Sequence, residues 1–162
     1  MFKMITTLAV IASLPIAAQG ASCKRPIDAM IKAMRTPRHM YFTANGERTG
    51  EMIAIGDTHY LLMKDHIWKP LQINTEDDIN DVRETLKTAR MQCDQLPHEN
   101  VNGVETDVYV IKIKPRDDDQ STHTLWLNSD NLPVKGITQI EDADRKQRTE
   151  TIFVYNQIKA PN

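Results

Sequence analysis

Aromatic residues are scarce, at 6% of the 162 residues, and glycine and proline number only 6 and 8. That sparing use excludes a low-complexity or disordered chain. An excess of one charge sign is missing too: 20 Lys plus Arg stand against 22 Asp plus Glu, a formal net charge of −2. With the basic residues spread along the chain, this balance argues against nucleic acid or an anionic membrane as the main partner. Beyond residue 20 no apolar run approaches the length of a bilayer span, so no transmembrane segment is expected in the mature chain. Cysteine occurs twice, as Cys23 and Cys93, and no Cys-x-x-Cys spacing exists to support a redox role.

Chemical motifs are equally thin. His39, His59, His66, His98 and His123 never adopt the His-x-x-x-His spacing that sets two imidazoles on one helix face, so no metal site is expected. Ser121 and His123 share one face of an expected strand. Only three serines follow residue 20, however, and none sits in a Gly-x-Ser-x-Gly elbow. The acidic runs Asp117–Asp119 and Glu141–Asp144 lack the spaced carboxylates and central glycine of a calcium loop and read as solvated turns. The chain is therefore expected to be no enzyme, with no catalytic residue, no metal and no cofactor.

What is present begins with a leader. Lys3 precedes an uncharged, mostly apolar run, Met4 to Ala18, and Ala18-Gln19-Gly20 places small residues at −3 and −1 of a cleavage site. Residues 1–20 read as a signal peptide and 21–162 as one mature domain that is periplasmic or secreted. That domain has 142 residues, with 19 basic against 22 acidic side chains and a net charge of −3. A lipid-modified Cys23 would want a Leu-like residue three positions earlier, where Gly20 stands. The better expectation is a structural Cys23–Cys93 disulfide, as befits two cysteines in an exported chain. Its loop of some 70 residues would stabilise the fold by about 4 kcal/mol in the chain-entropy picture.

The mature sequence opens with a helix over Pro26–Arg35, where Ile27, Met30, Ile31 and Met34 form one apolar stripe. The period then changes to two. Asn45-Gly46 and Gly56-Asp57 punctuate strands from Arg38 onward, at Glu47–Ile55, Thr58–Lys64 and His66–Leu71. Thr75–Arg90 returns to helical spacing, with Thr75 as a cap, Asp78 in the capping-box position, and Ile79, Val82 and Leu86 on the face expected to cover a sheet. Strands follow at Val104–Lys114, Thr122–Asn128, Val134–Glu141 and Arg148–Ile158, after a hairpin tip at Val101-Asn102-Gly103-Val104. The Val104–Lys114 strand is apolar on both faces, with Val108 and Val110 opposite Tyr109, Ile111 and Ile113. Such a strand belongs to a sheet covered on both sides or curled around something.

Methionine is the informative excess. Met30, Met34, Met40, Met52, Met63 and Met91 fall within the mature chain, and methionine lines adaptable apolar sites as readily as it fills cores. A deformable cavity for acyl or other apolar groups is expected around Met30 and Met34, with Trp68 and Trp126 as its large walls.

The order of elements resembles the LolA/LolB-like lipoprotein-carrier superfamily and the N-terminal domain of RseB. Val101-Asn102-Gly103-Val104 leading into Val108-Tyr109, Leu125-Trp126-Leu127, Asn131-Leu132-Pro133-Val134 and Val154-Tyr155-Asn156-Gln157-Ile158 carry the likeness. The resemblance implies an α+β fold: a strongly curved antiparallel sheet, an incomplete barrel, with two helices packed on its concave face over an apolar cavity. It implies no catalytic residue. The expected function is non-enzymatic binding of a lipid or lipidated ligand. The alternative is a protein-interaction module, such as an immunity or inhibitor protein acting against a secreted toxin, with a protein as its partner.

Overall fold

The computed structural model describes residues 22–62, 66–114, 120–141 and 146–161. The leader at 1–20, Met63, the run Asp117–Asp119 and residues 142–145 of the second acidic run lie outside them. The elements run α1 (Lys24–Arg35), β1 (Arg38–Ala44), β2 (Glu47–Ile55), β3 (Thr58–Leu62), β4 (Trp68–Gln72), α2 (Thr75–Thr88), β5 (Arg90–Val101), β6 (Val104–Lys114), β7 (Ser121–Leu127), β8 (Pro133–Glu141) and β9 (Lys146–Val154). All nine strands pair antiparallel in one sheet of order β4-β3-β2-β1-β9-β8-β7-β6-β5. Two of its turns follow directly from sequence. Asn45-Gly46 and Asn102-Gly103 hold positive φ at both positions (51° and 89°, 51° and 85°), the conformation that matches tight hairpins to strand twist.

The expected strongly curved, incomplete barrel does not form. The sheet is open, with β4 and β5 as unjoined edges. The helices do not line a concave surface: α1 lies against β7 and β8, and α2 packs chiefly on α1. Closure would remove the edges, but here they are blunted by other means. Pro70 sits in β4, and Pro97 lies at a register shift in β5 between Leu96 and Glu99. The two-faced apolar strand is satisfied without curling. On the helix side, Tyr109 and Ile111 join Ala29, Cys93, Leu125 and Leu127 in the core. On the open side, Val108 is buried opposite Trp126 within the sheet itself.

Helix α1 is fastened at both ends. Its N-terminal residue Cys23 has no side-chain cap, and a disulfide to Cys93, with Cα atoms 5.3 Å apart, ties it to β5. Arg25 pairs with Asp107 and donates to the Tyr109 hydroxyl at 3.0 Å and Asn131 Oδ1 at 3.1 Å. At the other end Arg38, the first residue of β1, is buried and donates from Nη1 to the carbonyls of Ala33, Met34 and Thr36 at 2.7, 2.9 and 3.3 Å. A cation at carbonyls left unpaired by the helix end satisfies them and complements the dipole. Beside Arg38, across β2, lies His59, also buried, whose Nε2 has no hydrogen-bond partner. Burial first, and Arg38 second, pull its pKa below 6.5, against Asp78 and Asp57.

Helix α2 is held more lightly. Its cap is Asn74 and not Thr75: Asn74 Oδ1 accepts from Asp77 N at 3.3 Å. Thr75 instead binds the β2–β3 turn, donating from N to Asp57 Oδ1 at 3.1 Å and from Oγ1 to the Gly56 carbonyl at 3.3 Å. Arg35 of α1 forks onto both oxygens of Glu76 at 2.7 Å. Of the expected face only Ile79 is fully buried, while Val82 and Leu86 are half-buried. The remaining mismatch is β5. Its sequence is largely polar and exposed and contains a proline, as an edge strand permits, so no apolar alternation marks it. The hairpin tip at Val101–Val104 was the signal that a strand must lead into it.

Two outcomes follow for stability. Ile79→Ala should cost about 3 kcal/mol and Leu86→Ala about 1 kcal/mol, with Glu84→Ala near zero, in urea denaturation. Equal losses at Ile79 and Leu86 would contradict this packing. Separately, His59 resists protonation when folded, so the unfolded chain binds more protons below pH 6.5 and stability should fall as pH drops through that region. Denaturation midpoints at about pH 7.5 and about pH 5.5 should differ, and His59→Leu should narrow the gap. Burial also lowers the His123 pKa, which leaves a residual slope. An unchanged gap in the variant would remove His59 from the account.

Candidate functional site

The helix side of the sheet divides into two halves. Over β6, β7 and β8 the α1 residues Pro26, Ala29, Ile31 and Ala33 are buried and the packing is complete. Over β9, β1, β2 and β3 a cross-strand row runs Phe153–Met40–Met52–Leu61. Its orientation is set at Gly136, where a Cβ would stand 3.5 Å from both Leu125 Cδ2 and Phe153 Cε2. Leu125 belongs to the core under α1, so Phe153 and its row face the helices. Met40 is buried, while Phe153, Met52, Leu61 and the neighbouring Phe42 are only half-buried. The strip is apolar, rich in adaptable thioethers, and incompletely covered. One end is bounded by the buried Arg38 and His59.

Met30 and Met34 both ride on α1. Met30 packs against the core cluster, and Met34 is half-buried beside the carbonyls that Arg38 holds. Trp68 and Trp126 lie on the opposite face of the sheet, in β4 and β7, with five strands between them. Alternation from Leu125 sends Trp126 to the open side, and the row Trp126–Lys135–Ile152–Tyr41–Glu51 continues there. Trp126 Nε1 donates to Glu99 Oε2 at 2.7 Å, and Lys135 Nζ lies 5.1 Å over its ring. At the other end, His39 stacks on Tyr41 with ring centres 4.2 Å apart and meets Trp68 edge-on at 6.0 Å. The structure thus brings together methionines the sequence singled out, Met40 and Met52, but separates the two tryptophans from Met30 and Met34. Phe153 and Leu61 were missed because their partnership depends on β1 lying between β2 and β9, a pairing of distant segments.

Beside its aromatics, the open side carries charged pairs over β1, β2, β8 and β9. Glu51 accepts from His39 Nε2 at 2.9 Å and pairs with Arg48, whose guanidinium lies 5.2 Å over Tyr41. Lys135 and Glu150 stand 3.3 Å apart. These pairs cover the face with partnered groups.

Ser121 Oγ lies 2.9 Å from His123 Nε2, and His123 Nδ1 lies 3.1 Å from Thr138 Oγ1. The far partner is a hydroxyl, which cannot stabilise an imidazolium as a carboxylate does, and burial pulls the His123 pKa down. No group of three or more His, Cys, Asp or Glu among the described residues could hold a metal ion. What the helix-side strip can do is bury apolar surface.

No protein-family profile matches the chain, and no curated protein matches it. Among solved structures, it is similar to the Mycobacterium tuberculosis lipoprotein LppX at 12% identity and a TM-score of 0.49, over 85% of this chain and 99% of that one. It is similar to MucB, solved in complex with the periplasmic part of MucA, at 15% identity and a TM-score of 0.49 over 86% of this chain, and spans 60% of that protein's length. A LolA superfamily protein from Nitrosomonas europaea is similar at 11% identity and a TM-score of 0.29, over 83% of this chain and 92% of that one. The likeness is one of distant overall architecture, and no activity, ligand or partner passes to this chain through it.

Proposed function

We propose that the chain is a non-catalytic binding protein for an apolar or acyl-bearing ligand, held on the helix side of the sheet along Phe153, Met52 and Leu61 with Met34 at the margin. The observation that carries this reading is the half-buried cross-strand row that α1 leaves incompletely covered. Each methylene removed from water there would contribute about 0.8 kcal/mol. Lightly held α2, with one fully buried apolar side chain, is the element best able to shift and admit a ligand. The leader-like residues 1–20 and the Cys23–Cys93 bridge support a reading of export to an oxidising compartment, with residues 21–162 as the mature domain.

An apolar naphthalene fluorophore should bind the disulfide-bonded protein saturably, with enhanced emission. Met52→Lys should reduce that binding by about tenfold or more while costing less stability than Leu127→Ala, which removes a fully buried side chain and should cost about 3 kcal/mol. A lysine at a wall facing ligand or water remains solvated, whereas one in a packed core does not. Absence of saturable binding, or a Met52→Lys protein less stable than Leu127→Ala, would mark the strip as ordinary core.

A further inference from the structure

We infer that a groove at one end of the sheet, which meets the helix-side strip at Phe153, docks an extended aliphatic peptide segment bearing a lysine or arginine. Five strands terminate or begin there: β5, β6, β7, β8 and β9. The groove encloses about 330 Å³, and its apolar lining includes Val101, Val104, Leu132, Val134, Ile152 and Val154. Strand alternation puts Val104 on the face of Val108, and Ile152 and Val154 on the face of Lys135, so these three line the open side. Val104 and Val154 are 41% and 37% exposed, among the most exposed large apolar side chains described.

The rim decides the occupant. Asn102, Asn128 and Asn156 contribute carboxamides, and Asp130 is the one charged side chain in the lining. Asn128 Oδ1 already accepts from the backbone N–H groups of Asp130 and Leu132, both at 3.0 Å. That fixes the amide and leaves its NH2 group to donate elsewhere. The Asp130 carboxylate forms no ion pair with a described residue, whereas its backbone carbonyl accepts from Lys32 and the adjacent Asn131 Oδ1 accepts from Arg25 at 3.1 Å. The turn is thereby anchored to α1 from behind, and the Tyr155 hydroxyl donates to the Pro133 carbonyl at 2.9 Å beneath it. A rim so fixed loses little freedom on binding.

An acyl chain would fill the valine floor but offer no acceptor to the Asn128 NH2 group and no partner to the other rim amides or the carboxylate, an unfavourable exchange. A peptide satisfies both parts. Aliphatic side chains fill the floor, backbone amides meet the carboxamides, and a basic side chain meets Asp130. The groove shares Phe153 with the helix-side strip but is argued from other residues, and Val154→Ser set against Met52→Lys tells the two sites apart.

The test is an amide-resonance titration of the intact disulfide-bonded protein with acetyl-Val-Leu-Lys-Val-amide and with its Glu counterpart. The Lys peptide should shift Val104, Asp130 and Val154 saturably. The Glu peptide should bind about three- to fivefold more weakly, as expected for a solvated ion pair, and Asp130→Asn should erase that difference. Val154→Ser should weaken both peptides without changing the thermal midpoint by much. Three results would overturn the inference: no shift at the groove with either peptide, saturation of the same resonances by dodecylphosphocholine in place of peptide, or a concentration-dependent dimer abolished by Val154→Ser. The second would mark an apolar-ligand site and the third a contact between copies.

Discussion

A buried guanidinium joins the first helix to the sheet. Arg38 is 7% exposed, and its Nη1 meets three carbonyls at the end of α1. Burying a cation is unfavourable unless its hydrogen bonds are made, and the unpaired carbonyls of a helix end are acceptors in need of donors. Each group answers the other. Because Arg38 is also the first residue of β1, the direction in which α1 leaves the sheet is set by this contact. The disulfide fixes the opposite end, and α1 becomes a rigid cover over β7 and β8. Everything on the helix side is then divided into what α1 seals and what it leaves part-open.

That division gives the two halves of the sheet different characters. Under α1 the side chains are packed, with Cys93, Ile111, Leu125 and Leu127 clustered with Ala29 of the helix. Beyond it, most of the Met40–Met52 row is left half-buried, and α2 is tied only through Thr75, Arg35–Glu76 and Ile79. A firmly held cover beside a lightly held one is the arrangement expected where local opening must occur without loss of the whole fold. The open face works differently. Cations lie over Tyr41 and Trp126, and carboxylates neutralise the cations, so aromatic surface is kept covered without a second layer of helices. Where that coverage stops, at the end of the sheet, the exposed valines begin.

Much of this was legible locally. Asn45-Gly46 and Asn102-Gly103 require positive φ that a tight turn accommodates, so the hairpins and their flanking strands could be read residue by residue. The stripe Ile27, Met30, Ile31, Met34 marked α1, and two lone cysteines after a leader-like segment pointed to the bridge. Edge strand β5 escaped because a strand that is solvated on most sides carries little apolar pattern. The cap of α2 was displaced by one residue, since Thr75 found better partners in Asp57 and Gly56 of a distant turn.

The candidate site was legible only in part. Composition alone pointed to methionine, and alternation placed Met40 and Met52 on one face of their strands. Whether the tryptophans lie with them depends on which face each strand turns toward α1, and the register of the strands puts both indoles on the other face. Closure of the sheet was a tertiary matter as well. Apolar residues on both faces of β6 demand cover, but the pattern is the same whether the cover is a curled sheet, a helix, or a large cross-strand neighbour such as Trp126 beside Val108. Period and turn chemistry act over a few residues and are written in the chain directly. Strand order, the burial of Arg38 and the split of the sheet into sealed and part-open halves arise from contacts between segments far apart in sequence, and they exist only once those segments meet.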